Sequence, residues 1–73
     1  MTPINYESML MKLLGMGFAV LRSRNSEEVA KLVDNEHNCI VLCPSMVGMN
    51  VDKIIRRITV INPKPVVISY HKP

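Results

Sequence analysis

The stretch Cys39–Cys43, which reads Cys-Ile-Val-Leu-Cys, is apolar at every position. A strand with one face in water alternates apolar and polar side chains, whereas a strand covered on both faces is apolar throughout. The run therefore predicts a strand of a parallel sheet with helices on both faces. Its two thiols are predicted to be buried and reduced, because Cα atoms four residues apart along a strand are about 13 Å apart and a disulfide needs them within about 7 Å.

Two further apolar runs lie on either side of this one. Pro65–Ser69 (Pro-Val-Val-Ile-Ser) is apolar almost throughout and predicts a second buried strand. Phe18–Leu21 (Phe-Ala-Val-Leu) is shorter and continues into Arg22-Ser-Arg24, which predicts a strand whose end reaches solvent.

The segments between these strands have helical spacing. Asn50 is a typical helix-capping residue, and the apolar residues after it recur at i, i+3, i+4 and i+7 until Asn62-Pro63 ends the pattern. This helix is predicted to bury Val51, Ile54, Ile55, Ile58 and Ile61. An earlier helix, capped by Asn25 or Ser26, is predicted to bury an apolar stripe made of Val29, Ala30, Leu32 and Val33.

A further helix is predicted at the start of the chain, over about 3–15, with Thr2 as its N-cap and Pro3 in its first turn. Gly15 and Gly17 are predicted to form its C-terminal cap. The apolar residues of this helix and its end are Tyr6, Met9, Leu10, Met11, Leu13, Leu14 and Met16.

The predicted elements alternate as helix, strand, helix, strand, helix, strand. Such alternation with short loops is typical of parallel sheets with right-handed crossovers. The 73-residue chain is therefore predicted to be one α/β domain, residues 1–73, in which three helices cover a short three-stranded parallel sheet in layers. A domain of this size has a small core, so its hydrophobic fraction of 48% indicates self-association or a partner surface.

The sequence predicts no catalytic residue, metal site or cofactor site. His37, Cys39 and Cys43 do not suit a metal site, because the two cysteines lie along one strand, too far apart to share an ion. Ser69 has no evident His and acidic partners for a nucleophilic triad. The Gly15-x-Gly17 pair follows a helix rather than a strand, which is the wrong context for a dinucleotide-binding loop.

The net charge of +3 is carried by basic residues scattered along the chain, most of which are expected on a solvated surface. An alternative function, a small basic nucleic-acid-binding protein, would use Arg22, Arg24, Arg56, Arg57 and Lys64. No apolar run reaches the roughly 18 residues of a membrane span, and the charge order around residues 9–21 is wrong for a signal peptide. A cytoplasmic protein without membrane contact is expected.

Between residues 14 and 69, several segments in order resemble the receiver domain of two-component response regulators. Residues 17–32 resemble the family's second strand and second helix, "G-y-x-V … A-x-N-G-x-E-A-L-x-x-L". Cys39–Cys43 resembles the third strand, and Ser45–Asn50 (Ser-Met-Val-Gly-Met-Asn) resembles the following "x-M-P-G-M-D" loop. Pro65–Ser69 resembles the fourth strand, "P-V-I-x-x-[ST]". The resemblance implies a partial flavodoxin-like fold.

The positions that carry the family's chemistry differ here. The phosphorylated Asp aligns with Cys43, and the proline and acidic residue of the loop align with Val47 and Asn50. The chain begins at the family's first helix, so the first strand and its acidic pair have no counterpart. The family's hydroxyl residue is matched by Ser69, or by Tyr70 if the register slips by one. The resemblance therefore implies a truncated pseudo-receiver that is not phosphorylated.

The function that this implies is a non-catalytic regulatory protein–protein interaction module, which dimerises or binds a signalling or transcriptional partner. In the family the missing first strand lies between the second and third strands, so here either those strands pair directly or something else fills the gap. Direct pairing would leave the fourth strand at an open edge, where a homodimer is expected to form. The interface candidates are Val66, Ile68 and Tyr70, then Met9 and Met11 on the first helix, and Met46 and Met49 in the loop.

Overall fold

Helices and strands alternate along the chain in the computed structural model, which describes residues 6–45 and 50–71. The elements are α1 (Tyr6–Gly15), β1 (Val20–Ser23), α2 (Ser26–Asn35), β2 (Cys39–Leu42), α3 (Val51–Thr59) and β3 (Val66–Tyr70). Both strand pairs are parallel. The predicted α/β class, with three helices and a three-stranded parallel sheet, is confirmed for the described residues.

The end of α1 determines where β1 begins. The amide of Phe18 donates to the carbonyl oxygen of Leu13, as in a Schellman cap, and Gly17 has the positive φ of +96° that such a cap requires. The predicted glycine cap is thus confirmed at Gly17. Because the cap holds Phe18 and the core buries it, β1 begins at Val20, later than the predicted start at Phe18.

The last strand of the chain lies in the middle of the sheet. The strand order is β1-β3-β2, so β1 and β2 each pair with β3. The expectation that this strand forms an open edge is therefore wrong. β3 fills the gap that was expected between β1 and β2, the strands that resemble the second and third receiver strands. An almost uniformly apolar strand buries more surface at the centre of a sheet than at its edge, which favours this order.

The main core lies between the sheet and the paired helices α1 and α3. Val67 of β3, Leu42 of β2 and, in part, Val20 of β1 enter it from the sheet. The buried helix residues are Tyr6, Met9, Leu10 and Leu13 of α1 and Val51, Ile54, Ile55 and Ile58 of α3. The predicted stripe of α3 is confirmed apart from Ile61, which lies beyond the end of the helix and is 41% exposed.

The opposite face of the sheet is only partly covered. Ile68, which alternates with Val67 along β3, is fully buried on this side, where α2 packs mainly against β1 and β3. α2 is described along its whole length and has no buried residue; Val33 is 40% exposed, as is Val41 of β2. The predictions of a buried α2 stripe and of a β2 covered on both faces are wrong, because β2 is an edge strand and α2 packs on β1 and β3.

Ile58→Asp is expected to unfold the protein. Ile58 is 4% exposed, and an unpaired carboxylate in its place costs on the order of several kcal/mol, comparable with the roughly 5–15 kcal/mol that keeps a domain folded. Thermal melting followed by circular dichroism measures this loss. Val60→Asp, a similar change where the side chain is 78% exposed, is the control and is expected to retain a cooperative melt. A cooperative melt in Ile58→Asp would contradict the assigned core.

Candidate functional site

The carboxyl ends of the strands form one edge of the molecule, at Ser23, Leu42 and Tyr70. The chain leaves β1 toward α2 on one face of the sheet and leaves β2 toward α3 on the other. Because these connections diverge, they leave a crevice over the end of β3, and crevices of this kind bind ligands in open parallel sheets. His71, which follows β3, lines both clefts of this region, which we call the carboxyl-edge crevice.

The larger cleft of the crevice has a volume of about 350 Å³ and is lined by Cys43, Pro44, Ser45, Tyr70 and His71. The Sγ atom of Cys43 and the Oγ atom of Ser45 are 2.9 Å apart and hydrogen-bonded. Pro44 and Tyr70, which also line the cleft, are both half-buried. The lining therefore combines two ring-bearing residues with a thiol, a hydroxyl and an imidazole.

The smaller cleft, about 160 Å³, is charged and is lined by Glu7, Arg22, Ser23, Arg24 and His71. Arg22 donates to both carboxylate oxygens of Glu7, from Nη1 at 2.7 Å and from Nη2 at 2.8 Å. These hydrogen bonds and the Arg22 charge, with a smaller contribution from His71, hold the pKa of Glu7 below its usual value. The hydrogen bond to Glu7 likewise raises the pKa of Arg22. Both side chains are therefore charged, and the pair has no net charge.

Buried, hydrogen-bonded polar groups lie beside the crevice, at the ends of β1 and β3. The hydroxyl oxygens of Tyr6 and Ser69 are 2.6 Å apart, and the Ser23 hydroxyl donates to the carbonyl oxygen of Ser69 at 3.2 Å. Ser23 and Ser69 are at most 1% exposed. Burial raises the pKa of the Tyr6 phenol, and this effect outweighs the opposing effect of its hydrogen bond with Ser69. These contacts tie α1 to the ends of β1 and β3.

Cys43 and Ser69, which the receiver resemblance places at the acceptor and hydroxyl positions, occupy different environments. Cys43 lines the crevice, whereas Ser69 is buried with its hydroxyl bonded to Tyr6. Tyr70, the alternative to Ser69, does line the crevice. Cys39 and Cys43 are free thiols, as predicted, but both are half-buried. Their predicted full burial is wrong because β2 is an edge strand.

A second surface lies at the opposite end of the sheet, where α1 and α3 end. Large apolar side chains there are 41–78% exposed: Met11, Leu14, Met16, Val60 and Ile61. Lys64 links the two helix ends, since its Nζ atom donates to the carbonyl oxygen of Met16 at 3.2 Å. Exposed apolar patches commonly mark contact surfaces, so this group of residues, the amino-edge patch, is a candidate for one.

The predicted interface residues of β3 are not at an edge. Ile68 is fully buried in the central strand and cannot contact a second chain, so its assignment to an interface is wrong. Val66 and Tyr70 are half-buried. Their backbone groups pair with β2 and β1, which removes the edge-pairing role expected for them.

The methionines predicted at an interface separate in the structure. Met9 is 2% exposed and belongs to the core, so its assignment to an interface is wrong. Met11 is 59% exposed and belongs to the amino-edge patch. Met46 and Met49 lie outside the described residues.

The basic residues of the nucleic-acid alternative lie at opposite edges of the sheet. Arg22 and Arg24 are at the carboxyl edge, where the first is paired with a carboxylate. Arg56 and Arg57, exposed in the last turn of α3, and Lys64 are at the amino edge. The fold therefore does not gather them into one surface that could follow a phosphate backbone.

Comparison of the chain with known protein families, curated proteins and solved structures finds no match in any of the three. In residues 6–45 and 50–71, no group of three or more His, Cys, Asp or Glu side chains is arranged to hold a metal ion. Over the same part of the chain, no helix has the length and apolarity needed to cross a membrane. The groups that line the crevice are a thiol, hydroxyls, an imidazole, a phenol, a carboxylate and guanidinium groups.

The ion pair of the crevice was missed by reasoning from the sequence. Glu7 and Arg22 are 15 positions apart, on a helix and on the strand that follows it. Their positions did carry a signal, because a helix that runs antiparallel to the next strand places its first turn beside the end of that strand. His71, expected to be a solvated residue near the C-terminus, is exposed but lines both clefts.

Tyr6→Phe is expected to lower the free energy of unfolding by about 1–3 kcal/mol, because it leaves the buried Ser69 hydroxyl without its partner. Ser69→Ala leaves the Tyr6 hydroxyl without its partner and is expected to lower the free energy of unfolding by a similar amount. The double variant is expected to lose less than the sum of the two, since neither hydroxyl then remains unpaired. Urea unfolding followed by circular dichroism measures all three values. Strictly additive losses would contradict the proposed coupling.

Proposed function

We propose that this protein is a non-catalytic protein-interaction module of the pseudo-receiver type, and that its amino-edge patch binds an acidic amphipathic segment of a signalling or transcriptional protein. The observation that carries the proposal is the exposure of large apolar side chains where α1 and α3 end, with Leu14 at 51% and Val60 at 78%. Burial of apolar surface is the dominant favourable term in most protein association, and this surface supplies it.

Charges beside the patch favour an acidic partner. Lys12 lies in the last turn of α1, and Arg56 and Arg57 lie in the last turn of α3, within one helical turn of patch residues. Lys64 adds another cation between the helix ends. A segment with aliphatic side chains on one face and carboxylates on the other satisfies both the patch and its basic border. A second copy of this chain would instead bring like charges together there.

The carboxyl edge supports a non-catalytic role. Cys43 stands where the resembled family has its carboxylate nucleophile, and Glu7, which lines the crevice, has both oxygens bonded to Arg22. Aspartyl phosphorylation needs a carboxylate nucleophile and further carboxylates around a metal ion, so this arrangement favours binding over phosphoryl transfer. Two free thiols suit a reducing compartment, and a cytoplasmic location is part of the proposal.

Two synthetic peptides test the patch: an amphipathic helix of leucine and glutamate, and the same helix with lysine in place of each glutamate. Fluorescence anisotropy is expected to show that the glutamate peptide binds at least about tenfold more tightly. Val60→Asp is expected to weaken that binding by about tenfold. Ala30→Asp on the exposed side of α2 is the matched control and is expected to leave it within about twofold.

Equal affinities for the two peptides would overturn the charge argument. Unchanged affinity in a correctly folded Val60→Asp would overturn the location of the site. If a DNA duplex bound instead, with an affinity that falls linearly in log salt, the nucleic-acid alternative would be favoured over the proposal.

Incubation with acetyl phosphate and Mg²⁺ is expected to leave the intact mass unchanged. The reason is the thiol of Cys43 at the acceptor position and the engagement of Glu7 by Arg22. A typical receiver domain treated in parallel confirms that the phosphodonor is active. A stable gain of about 80 Da, one phosphoryl group on an acidic side chain of this protein, would contradict the proposal.

Self-association stays a prediction, and the edge of β2 now supports it better than β3 does. Within the described residues β1 and β2 are the outer strands, and Cys39–Leu42 of β2 carries neither a charge nor a proline to protect its edge. Light scattering at micromolar concentration is expected to give twice the 8.3 kDa chain mass. Val41→Lys, which places a charge on that exposed edge, is expected to give the monomer. A sharp monomer mass for the unaltered protein would refute this prediction.

A further inference from the structure

We propose that the carboxyl-edge crevice is a binding site for a small aromatic monoanion, such as an aryl carboxylate, with its ring in the larger cleft and its anionic group in the smaller one. This site is at the opposite end of the sheet from the amino-edge patch. It therefore stands on different residues and independently of the proposed protein-binding function.

The larger cleft has the size and walls that suit a flat ring. Its volume of about 350 Å³ is within the range of roughly 300–1,000 Å³ that small-molecule pockets occupy. Pro44 and Tyr70 are among its lining residues, and an aromatic ligand gains from contact with a tyrosine ring. The hydrogen bond between Cys43 and Ser45 satisfies these two groups with each other, so an apolar ring can enter without leaving them unpaired.

The smaller cleft supplies one uncompensated positive charge. Arg22 is neutralised by Glu7 through two hydrogen bonds. The Arg24 side chain, in contrast, has no hydrogen-bond or ion-pair partner in residues 6–45 and 50–71; Glu28 accepts from the backbone amide of Arg24, at 3.3 Å. A guanidinium binds a carboxylate through charge-assisted hydrogen bonds, and a single free cation matches a single negative charge.

His71 lines both clefts, so a ligand with its ring in one and its anionic group in the other passes this residue. Beside the clefts, the hydroxyl groups of Tyr6 and Ser23 are hydrogen-bonded to Ser69, which ties together the ends of β1 and β3. Strand ends that are already bonded in this way do not have to be ordered by the ligand, and preorganisation of this kind favours binding.

Titration with 2-naphthoate, followed by backbone amide chemical shifts, tests the site. The largest shifts are expected at Ser45 and His71. Arg24→Gln is expected to weaken binding about tenfold, whereas Arg56→Gln, the same change on α3, is expected to leave it within about twofold. Uncharged 2-naphthylmethanol and non-aromatic acetate are each expected to bind at least about tenfold more weakly than 2-naphthoate.

Three results would overturn the proposal. They are an absence of shifts at millimolar 2-naphthoate, equal losses of affinity in Arg24→Gln and Arg56→Gln, and shifts centred on the amino-edge patch.

Tyr70→Leu keeps an apolar side chain but removes the aromatic ring. This variant is expected to reduce the affinity for 2-naphthoate and to leave the weak affinity for acetate unchanged. An unchanged affinity for 2-naphthoate with a reduced affinity for acetate would contradict the placement of the ligand ring in the larger cleft.

Discussion

The sheet depends on backbone hydrogen bonding along both sides of β3. At one end of β3, the amide of Val66 donates to the carbonyl oxygen of Asn38 at 2.9 Å. Just beyond its other end, the amide of His71 donates to the carbonyl oxygen of Ser23 at 2.9 Å. In the described residues β1 and β2 are joined only through β3. Small two-stranded units are marginal in water, so the fold needs its last strand before the first two can be held parallel.

The central place of β3 also explains why the two ends of the molecule differ chemically. All carboxyl ends of a parallel sheet lie together, and here they bring hydroxyl, thiol, imidazole and guanidinium groups to one edge. α1 and α3 run back toward the other edge and end there in exposed apolar side chains, of which Leu14 and Val60 are examples. Hydrogen-bonding and charged groups are thereby separated from the exposed apolar side chains by the length of the strands.

Some of the candidate site could be predicted from the sequence and some could not, for identifiable reasons. Cys43 was identified from the sequence through the resemblance to receiver domains, and it lines the crevice. Its pairing with Ser45 and the pairing of Glu7 with Arg22 depend on side-chain directions that no spacing rule supplies. Met9 and Met11 could have been assigned to different faces of α1 from the sequence, because residues two apart on a helix do not share a face.

The kind and order of the helices and strands follow from local signals in the sequence. These signals include the cap at Asn50, whose side chain accepts from the amide of Lys53, the cap at Gly17 and the apolar stripe of α3, and local backbone geometry satisfies them. The strand order depends instead on tertiary packing. Cys39–Cys43 and Pro65–Ser69 are both apolar runs that predict buried strands, yet one is at the edge and the other at the centre. An apolar run records that a strand prefers burial; which strand lies beside which depends on how α2 and α3 cross the sheet and on how much surface each arrangement covers.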